Sequence, residues 1–312
     1  MKNKQKGFVP VMLTPFKDNG AVDYDGLSRI TELNIDAGAA GLFANCLSSE
    51  MFELTPQERI DSVKHIVNVA DGAVSVVATG TFAGTVEQQA DFIKRIYDTG
   101  IEAAIVITGL MAEETEPGEI FDNNVFKLIE LTPDIPLGFY ECPEPYKRLI
   151  SPAQLKRFVE TGRVIYHKDT CLDINLIKDK IEATKDYEQF GLYDAYMVHA
   201  VESLKAGSAG LSCIQGNFFP ELIVWLCNNY DHPELQQQVA KVQSFITRNM
   251  EPMHEVYPIV AKYFLQKRGL NISSFTRRDV GRFTPDVKQR IDVLHNEYYQ
   301  LRAELNLTFE IA

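Results

Sequence analysis

The chain is poor in the features that mark several large classes of protein. Its 31 Lys and Arg are outnumbered by 43 Asp and Glu, a formal net charge of -12. A nucleic-acid or anionic-membrane partner is therefore not expected, because there is no basic field to release counterions or hold phosphates. Five cysteines stand scattered with no CxxC pair, and six histidines form no HExxH or zinc spacing. Reduced thiols are expected, with no disulfide framework and no metal site. Neither GxGxxG nor GxxxxGK[ST] occurs, so the usual dinucleotide and P-loop cradles are absent. Met1 to Lys6 are polar and basic, and Pro10 and Pro15 break the apolar stretch that follows. Neither a signal peptide nor a spanning helix is read there, and a cytoplasmic location is expected.

What is present is a repeat. Short β-branched and aromatic runs recur, each ending in a polar or glycine-containing loop and followed by helical spacing. The expected strands are Phe8 to Leu13, Gly41 to Cys46, Val74 to Thr79, Ala103 to Thr108, Pro136 to Tyr140, Val164 to Lys168, Gln189 to Tyr193 and Gly210 to Ile214. Amphipathic stretches such as Tyr24 to Ala37, Thr55 to Ala70 and Thr85 to Thr99 lie between them. Thr55, Pro56 and Glu58 form an N-cap, a first-turn proline and a capping-box partner, and Gly38 and Gly100 read as C-caps. Eight nearly continuous apolar strands, each with its helix, predict an α/β fold, a (β/α)8 TIM barrel, over residues 1–220. From about Pro220 the pattern is helical, and no Gly/Ser linker precedes it. Residues 221–312 are thus expected as C-terminal helices packed on the barrel within one structural unit.

Barrel chemistry sits at the C-terminal ends of strands. Lys168 ends the sixth expected strand, and Tyr140 ends the fifth. Period-two alternation puts Val164, Tyr166 and Lys168 on one face. If that face points inward, the amine lies at the mouth of the core, where desolvation leaves part of it uncharged. Strand pattern alone is equally compatible with a solvated lysine. Tyr140 lies one strand away, about 4.8 Å across the sheet, so a phenol can share the pocket and move protons. A tyrosine that merely caps the core is the competing reading. Glu141 and His167 fall on the opposite face and are expected to meet the surrounding helices. Cys142 and Cys171 have no adjacent base in the sequence, so a thiol nucleophile is not expected.

From about Gly7 to Leu270 the chain resembles the family of dihydrodipicolinate synthase and N-acetylneuraminate lyase. The resemblance rests on Thr14-Pro15-Phe16, on Asn45-Cys46-Leu47-Ser48-Ser49-Glu50 with Leu54-Thr55-Pro56-Gln57-Glu58-Arg59, and on Tyr140-Glu141-Cys142-Pro143 with Lys168 at the family's spacing. It implies that Lys168 forms an imine with pyruvate or a related 2-oxo acid and that Tyr140 transfers protons. It also implies that Ser48 and Ser49 hold the carboxylate, that Asp194 in Leu192-Tyr193-Asp194 meets sugar hydroxyls, and that Ile214 lines the substrate site. A homo-oligomer, dimer or tetramer, is implied as well. Four positions depart from the family's pattern. Leu47 stands at a hydroxyl position of the proton relay, Ser49 replaces a glycine, Thr108-Gly109-Leu110-Met111 lacks the tyrosine given to a neighbouring subunit, and Pro145 replaces the synthase's arginine, with Arg148 nearby.

The expected activity is a class I lyase, an aldolase or dehydratase acting on a 2-oxo acid such as pyruvate or a 2-oxo-3-deoxy sugar acid, with no cofactor. Two alternatives within the resemblance are a degenerate paralogue that binds a 2-oxo acid without turnover, and the synthase proper, disfavoured by Pro145. A third keeps the barrel but makes Lys168 an anion clamp.

Overall fold

The computed structural model describes residues 7–309 and 311. Met1–Lys6, the polar and basic start, lie outside the described residues. Eight strands are present: β1 (Gly7–Phe8), β2 (Gly41–Ala44), β3 (Ser75–Thr79), β4 (Ala103–Ile107), β5 (Leu137–Tyr140), β6 (Val164–Asp169), β7 (Gly191–Asp194) and β8 (Gly210–Leu211). They run parallel in the order β1-β8-β7-β6-β5-β4-β3-β2. The β1/β2 seam is closed by a parallel bridge between Val11 and Phe43, with the Phe43 amide donating to Pro10 O at 2.9 Å and the Met12 amide to Phe43 O at 2.9 Å. The fold is a (β/α)8 barrel. Regular pairing in β1 is shorter than expected because Pro10 has no N–H to give the ladder. The segment after β8 turns at once into a 3-10 helix, Ile214–Asn217, which ends that strand early.

The helices α1 (Tyr24–Asp36), α2 (Pro56–Ala70), α3 (Val86–Tyr97), α4 (Gly118–Leu131), α5 (Pro152–Val159), α6 (Ile174–Thr184), α7 (Ala200–Ala206) and α8 (Pro220–Asn229) alternate with the strands. The expected box at α2 is formed: Thr55 Oγ1 accepts from the Glu58 amide at 3.2 Å, and Glu58 Oε2 accepts from the Thr55 amide at 2.9 Å. Four further helices follow, α9 (Gln236–Arg248), α10 (Met250–His254), α11 (Ile259–Lys267) and α12 (Pro285–Glu304). They are tied to α8 by the Arg268–Glu221 pair at 2.6 Å and by Phe219 stacked on Tyr298 at 5.4 Å. No helix among the described residues is long and apolar enough to cross a membrane.

Alternation along the strands divides the apolar side chains into two layers. One lies between strands and helices, and the other fills the barrel with Val11, Phe43, Val77, Ile105, Ile107, Tyr140, Tyr166 and Tyr193. Tyr166 stacks on Tyr193 at 4.7 Å and meets Phe43 edge-on at 6.0 Å. Gly138 makes this filling possible, since a Cβ there would lie 2.8 Å from the Tyr166 Cβ and 2.6 Å from Ile105. The floor of the site is therefore aromatic and dry, and Tyr140 and Lys168 stand on it.

Candidate active site

β5 and β6 pair so that Tyr140 faces Lys168 directly, and Lys168 in turn pairs with Tyr193 of β7. Both side chains point into the barrel mouth. Lys168 is 4% exposed, and its Nζ lies 4.1 Å from the centroid of the Tyr140 ring and 5.7 Å from that of Phe43. No carboxylate among the described residues pairs with this amine. Burial pulls the ammonium below the ordinary lysine value. The opposing influence would come from the thiols of Cys46, Cys142 and Cys213. Burial pushes two of these thiols up, Cys142 to about 11 and Cys213 to about 12, so both stay protonated at neutral pH. The same burial raises the Tyr140 phenol well above its usual value, so it stays a proton carrier and hydrogen-bond donor. The uncharged fraction of a buried amine beside a neutral phenol can add to a ketone and exchange protons with the adduct.

The two residues open onto a cavity of about 430 Å³ at the C-terminal end of the barrel, lined also by Leu47, Ser48, Ser212, Ile214, Tyr257 and Arg278. Ser48 and Ile214 thus share the cavity with Lys168. Ser49 does not: its hydroxyl is spent on Met12 O at 2.6 Å and accepts from the Cys46 amide at 3.2 Å, which shapes the loop instead. Asp194 is also outside the lining. It is buried, accepts from the Tyr196 amide at 2.8 Å and meets His199 Nε2 at 3.0 Å, so it organises the turn after β7. Arg148 is turned away as well, donating to Tyr146 Oη at 2.8 Å and to Glu113 O at 2.6 Å.

Behind the wall, alternation places Glu141, His167 and Asp169 on the helix-facing side. Their ligand atoms lie within 4.8 Å of one another, a spacing that could hold a metal ion. The cation there is the protein's own. Lys180 of α6 sets Nζ 2.6 Å from both Glu141 Oε1 and Asp169 Oδ2. Glu141 also accepts from the Ile150 amide at 2.9 Å and the Thr170 amide at 3.2 Å, so the cluster ties together the loops that follow Tyr140 and Lys168.

Among the lining residues that sequence reasoning did not single out are Tyr257 and Arg278. Tyr257, between α10 and α11, brings a second phenol that hydrogen-bonds with Ser48 and accepts from Asn217 Nδ2 at 2.7 Å. Arg278 arrives from the segment between α11 and α12. Neither carries a local signal, since each reaches the barrel through helices far along the chain.

The model of the dihydrodipicolinate synthetase family matches residues 4–297, and the chain belongs to that family. A 4-hydroxy-tetrahydrodipicolinate synthase of Methanothrix thermoacetophila is 25% identical over 272 residues, 87% of this chain and 86% of that protein. One of Ruegeria pomeroyi is 27% identical over 271 residues, 85% of this chain and 89% of the relative. Among solved structures, YagE of E. coli K12, a prophage protein of the dihydrodipicolinic acid synthase family in complex with pyruvate, superposes with a TM-score of 0.82. Its identity is 19%, over 95% of this chain and 98% of that one.

Proposed function

We propose that the protein is a lyase that works through an imine between Lys168 and a 2-oxo acid, pyruvate or a 2-oxo-3-deoxy sugar acid. The observation that carries the reading is an amine 4% exposed, unpaired with any carboxylate among the described residues and 4.1 Å from a phenol ring. Family membership and the pyruvate named for the E. coli neighbour support the same substrate class.

The Lys168 amine adds to the C2 carbonyl, and the carbinolamine loses water to give the imine. Tyr140 donates the proton that carries the hydroxide away. The protonated imine then accepts the electron pair released when the bond from C3 to C4 breaks, or when a C3 proton is removed, giving an enamine rather than a free carbanion. In cleavage the Tyr140 phenolate takes the C4 hydroxyl proton, so that C4 leaves as an aldehyde, and returns it to C3. In dehydration it takes the C3 proton and gives it to the C4 hydroxyl, which the enamine expels as water. Hydrolysis of the imine then returns the amine. Ser48 and the amides of its loop hold the 2-oxo acid carboxylate. Tyr257, linked to Ser48, supplies the second phenol of a proton path that needs no neighbouring subunit. A homo-oligomer, dimer or tetramer, in the cytoplasm belongs to the same proposal, and light scattering measures the assembly.

The test is reduction with borohydride in the presence of pyruvate, followed by intact mass. An adduct on Lys168 is expected, absent in Lys168→Arg. A protein without the adduct, or an arginine variant that keeps substantial activity, rules the imine out. Adduct formation without product from any 2-oxo sugar acid would favour the binding-only reading that the apolar Leu47 raises.

A further inference from the structure

The rim of the cavity is built to present one guanidinium. Glu50, fully buried, closes the loop that carries Ser48 and takes four donors: Lys262 Nζ at 2.8 Å, Thr276 Oγ1 at 2.5 Å, and the amides of Arg277 at 2.7 Å and Arg278 at 3.1 Å. The backbone of residues 276–278 is thereby strapped to the barrel mouth. Arg277 is turned away, clasping Glu58 at 2.6 and 2.9 Å and the carbonyl of Glu53 at 3.0 Å. Arg278 is turned into the cavity that Lys168 and Tyr140 line. Its guanidinium makes one hydrogen bond among the described residues, from Nη2 to Glu144 on the loop after β5. That contact orients a planar fork and leaves its other N–H groups for a ligand. Lys147 lines the same rim, so two side-chain cations besides the Lys168 amine face the cavity, against Asp279 in the lining and Glu144 beside it.

We propose that Arg278 is an anion subsite: it binds a second carboxylate on the substrate, at the end remote from the carbon that Lys168 attacks. The inference rests on the imine reading and adds the substrate class, 2-oxo acids or adducts bearing a distal carboxylate. A guanidinium suits this task because its paired N–H groups match the two carboxylate oxygens, and its charge is permanent. Pro145 supplies no such group, and Arg148 is engaged elsewhere. The strap delivers the cation from the C-terminal helices instead.

The experiment traps imines with cyanoborohydride and reads the adduct by intact mass across a concentration series. The ligands are pyruvate, 2-oxoglutarate and 2-oxoadipate, with 2-oxopentanoate and 2-oxohexanoate as length-matched monoacids. In the unmodified protein, at least one diacid is expected to half-saturate at a concentration about tenfold or more below its monoacid partner, the discrimination a charge-assisted bidentate contact provides. Arg278→Met is expected to abolish that preference, the diacid's half-saturation rising to that of its monoacid partner, while a pyruvate adduct still forms, which reports that the variant is folded. Trapping of pyruvate without a diacid preference, or a preference that survives Arg278→Met, overturns the subsite. No adduct with any 2-oxo acid overturns the imine reading itself, a different outcome on the same gel-free readout.

Discussion

Lys180→Met isolates the buried charge cluster that stiffens the site from behind. The ammonium is wholly enclosed and lies 2.6 Å from two carboxylates, so the substitution leaves Glu141 and Asp169 facing each other in a dry wall. Breaking a buried pair by removing one partner costs about 3–5 kcal/mol. That is a large share of the roughly 5–15 kcal/mol by which folded domains are stable. The loss should also depend on pH. Burial opposes ionisation of Asp169, but His167 and Lys180 outweigh it and hold the folded carboxyl below its usual value. Its stabilisation is thus present above the ordinary aspartate range and lost only as pH falls through the lowered folded value. Without Lys180, only His167 is left to oppose burial and the neighbouring carboxylate, so the folded Asp169 value rises, and protonation of His167 at lower pH supplies part of the missing positive charge. Urea unfolding at pH 7.5 and pH 5 should therefore show a deficit that shrinks at the lower pH. Adding Asp169→Asn should recover part of the loss. A deficit below about 1 kcal/mol, or one equal at both pH values and not relieved by Asp169→Asn, would falsify the placement of an uncompensated charge there.

The pH dependence of imine trapping has a definite sign. Burial lowers the Lys168 pKa, so the trapping rate should climb with pH and level off at a midpoint below the ordinary lysine value of about 10.4; a midpoint at or above it contradicts the desolvated amine. Tyr140→Phe should keep the adduct but slow turnover by about 10²–10⁴-fold, the usual share of a positioned proton donor; turnover within a factor of two of the parent would remove Tyr140 from the chemistry. Tyr257→Phe takes a hydrogen-bond acceptor from Asn217 and a partner from Ser48. It is expected to lower turnover more than it lowers thermal stability, a loss of about 1–3 kcal/mol. A variant with unchanged turnover shows that the second phenol is structural.

Much of the architecture was readable in one dimension because its causes are local. Strand against helix follows from period-two and period-3.6 patterning, and the start of α2 follows from Thr55, Pro56 and Glu58 within one turn. The pairing of Tyr140 with Lys168 was legible for a related reason. Consecutive parallel strands in a βα repeat become neighbours, and both residues close their strands. The helix-facing direction of Glu141 and His167 followed from alternation, although the cation between Glu141 and Asp169 did not.

What the chain's order could not convey is which of several plausible polar groups turns toward the cavity and what arrives from a distance. Ser48 and Ser49 are adjacent and chemically alike, yet one lines the cavity and the other is bound to the Met12 carbonyl. Asp194 ends a strand as Lys168 nearly does, but the turn after β7 captures it. Tyr257 and Arg278 enter through helices beyond the barrel, held by Asn217 and by the buried Glu50. By itself the sequence determined the repeat, the closed parallel barrel and the amine-phenol pair, since each depends on neighbours along the chain or on adjacent strands. Only the tertiary structure decided the rim of the site, because long-range packing and buried hydrogen bonds set the direction of those side chains.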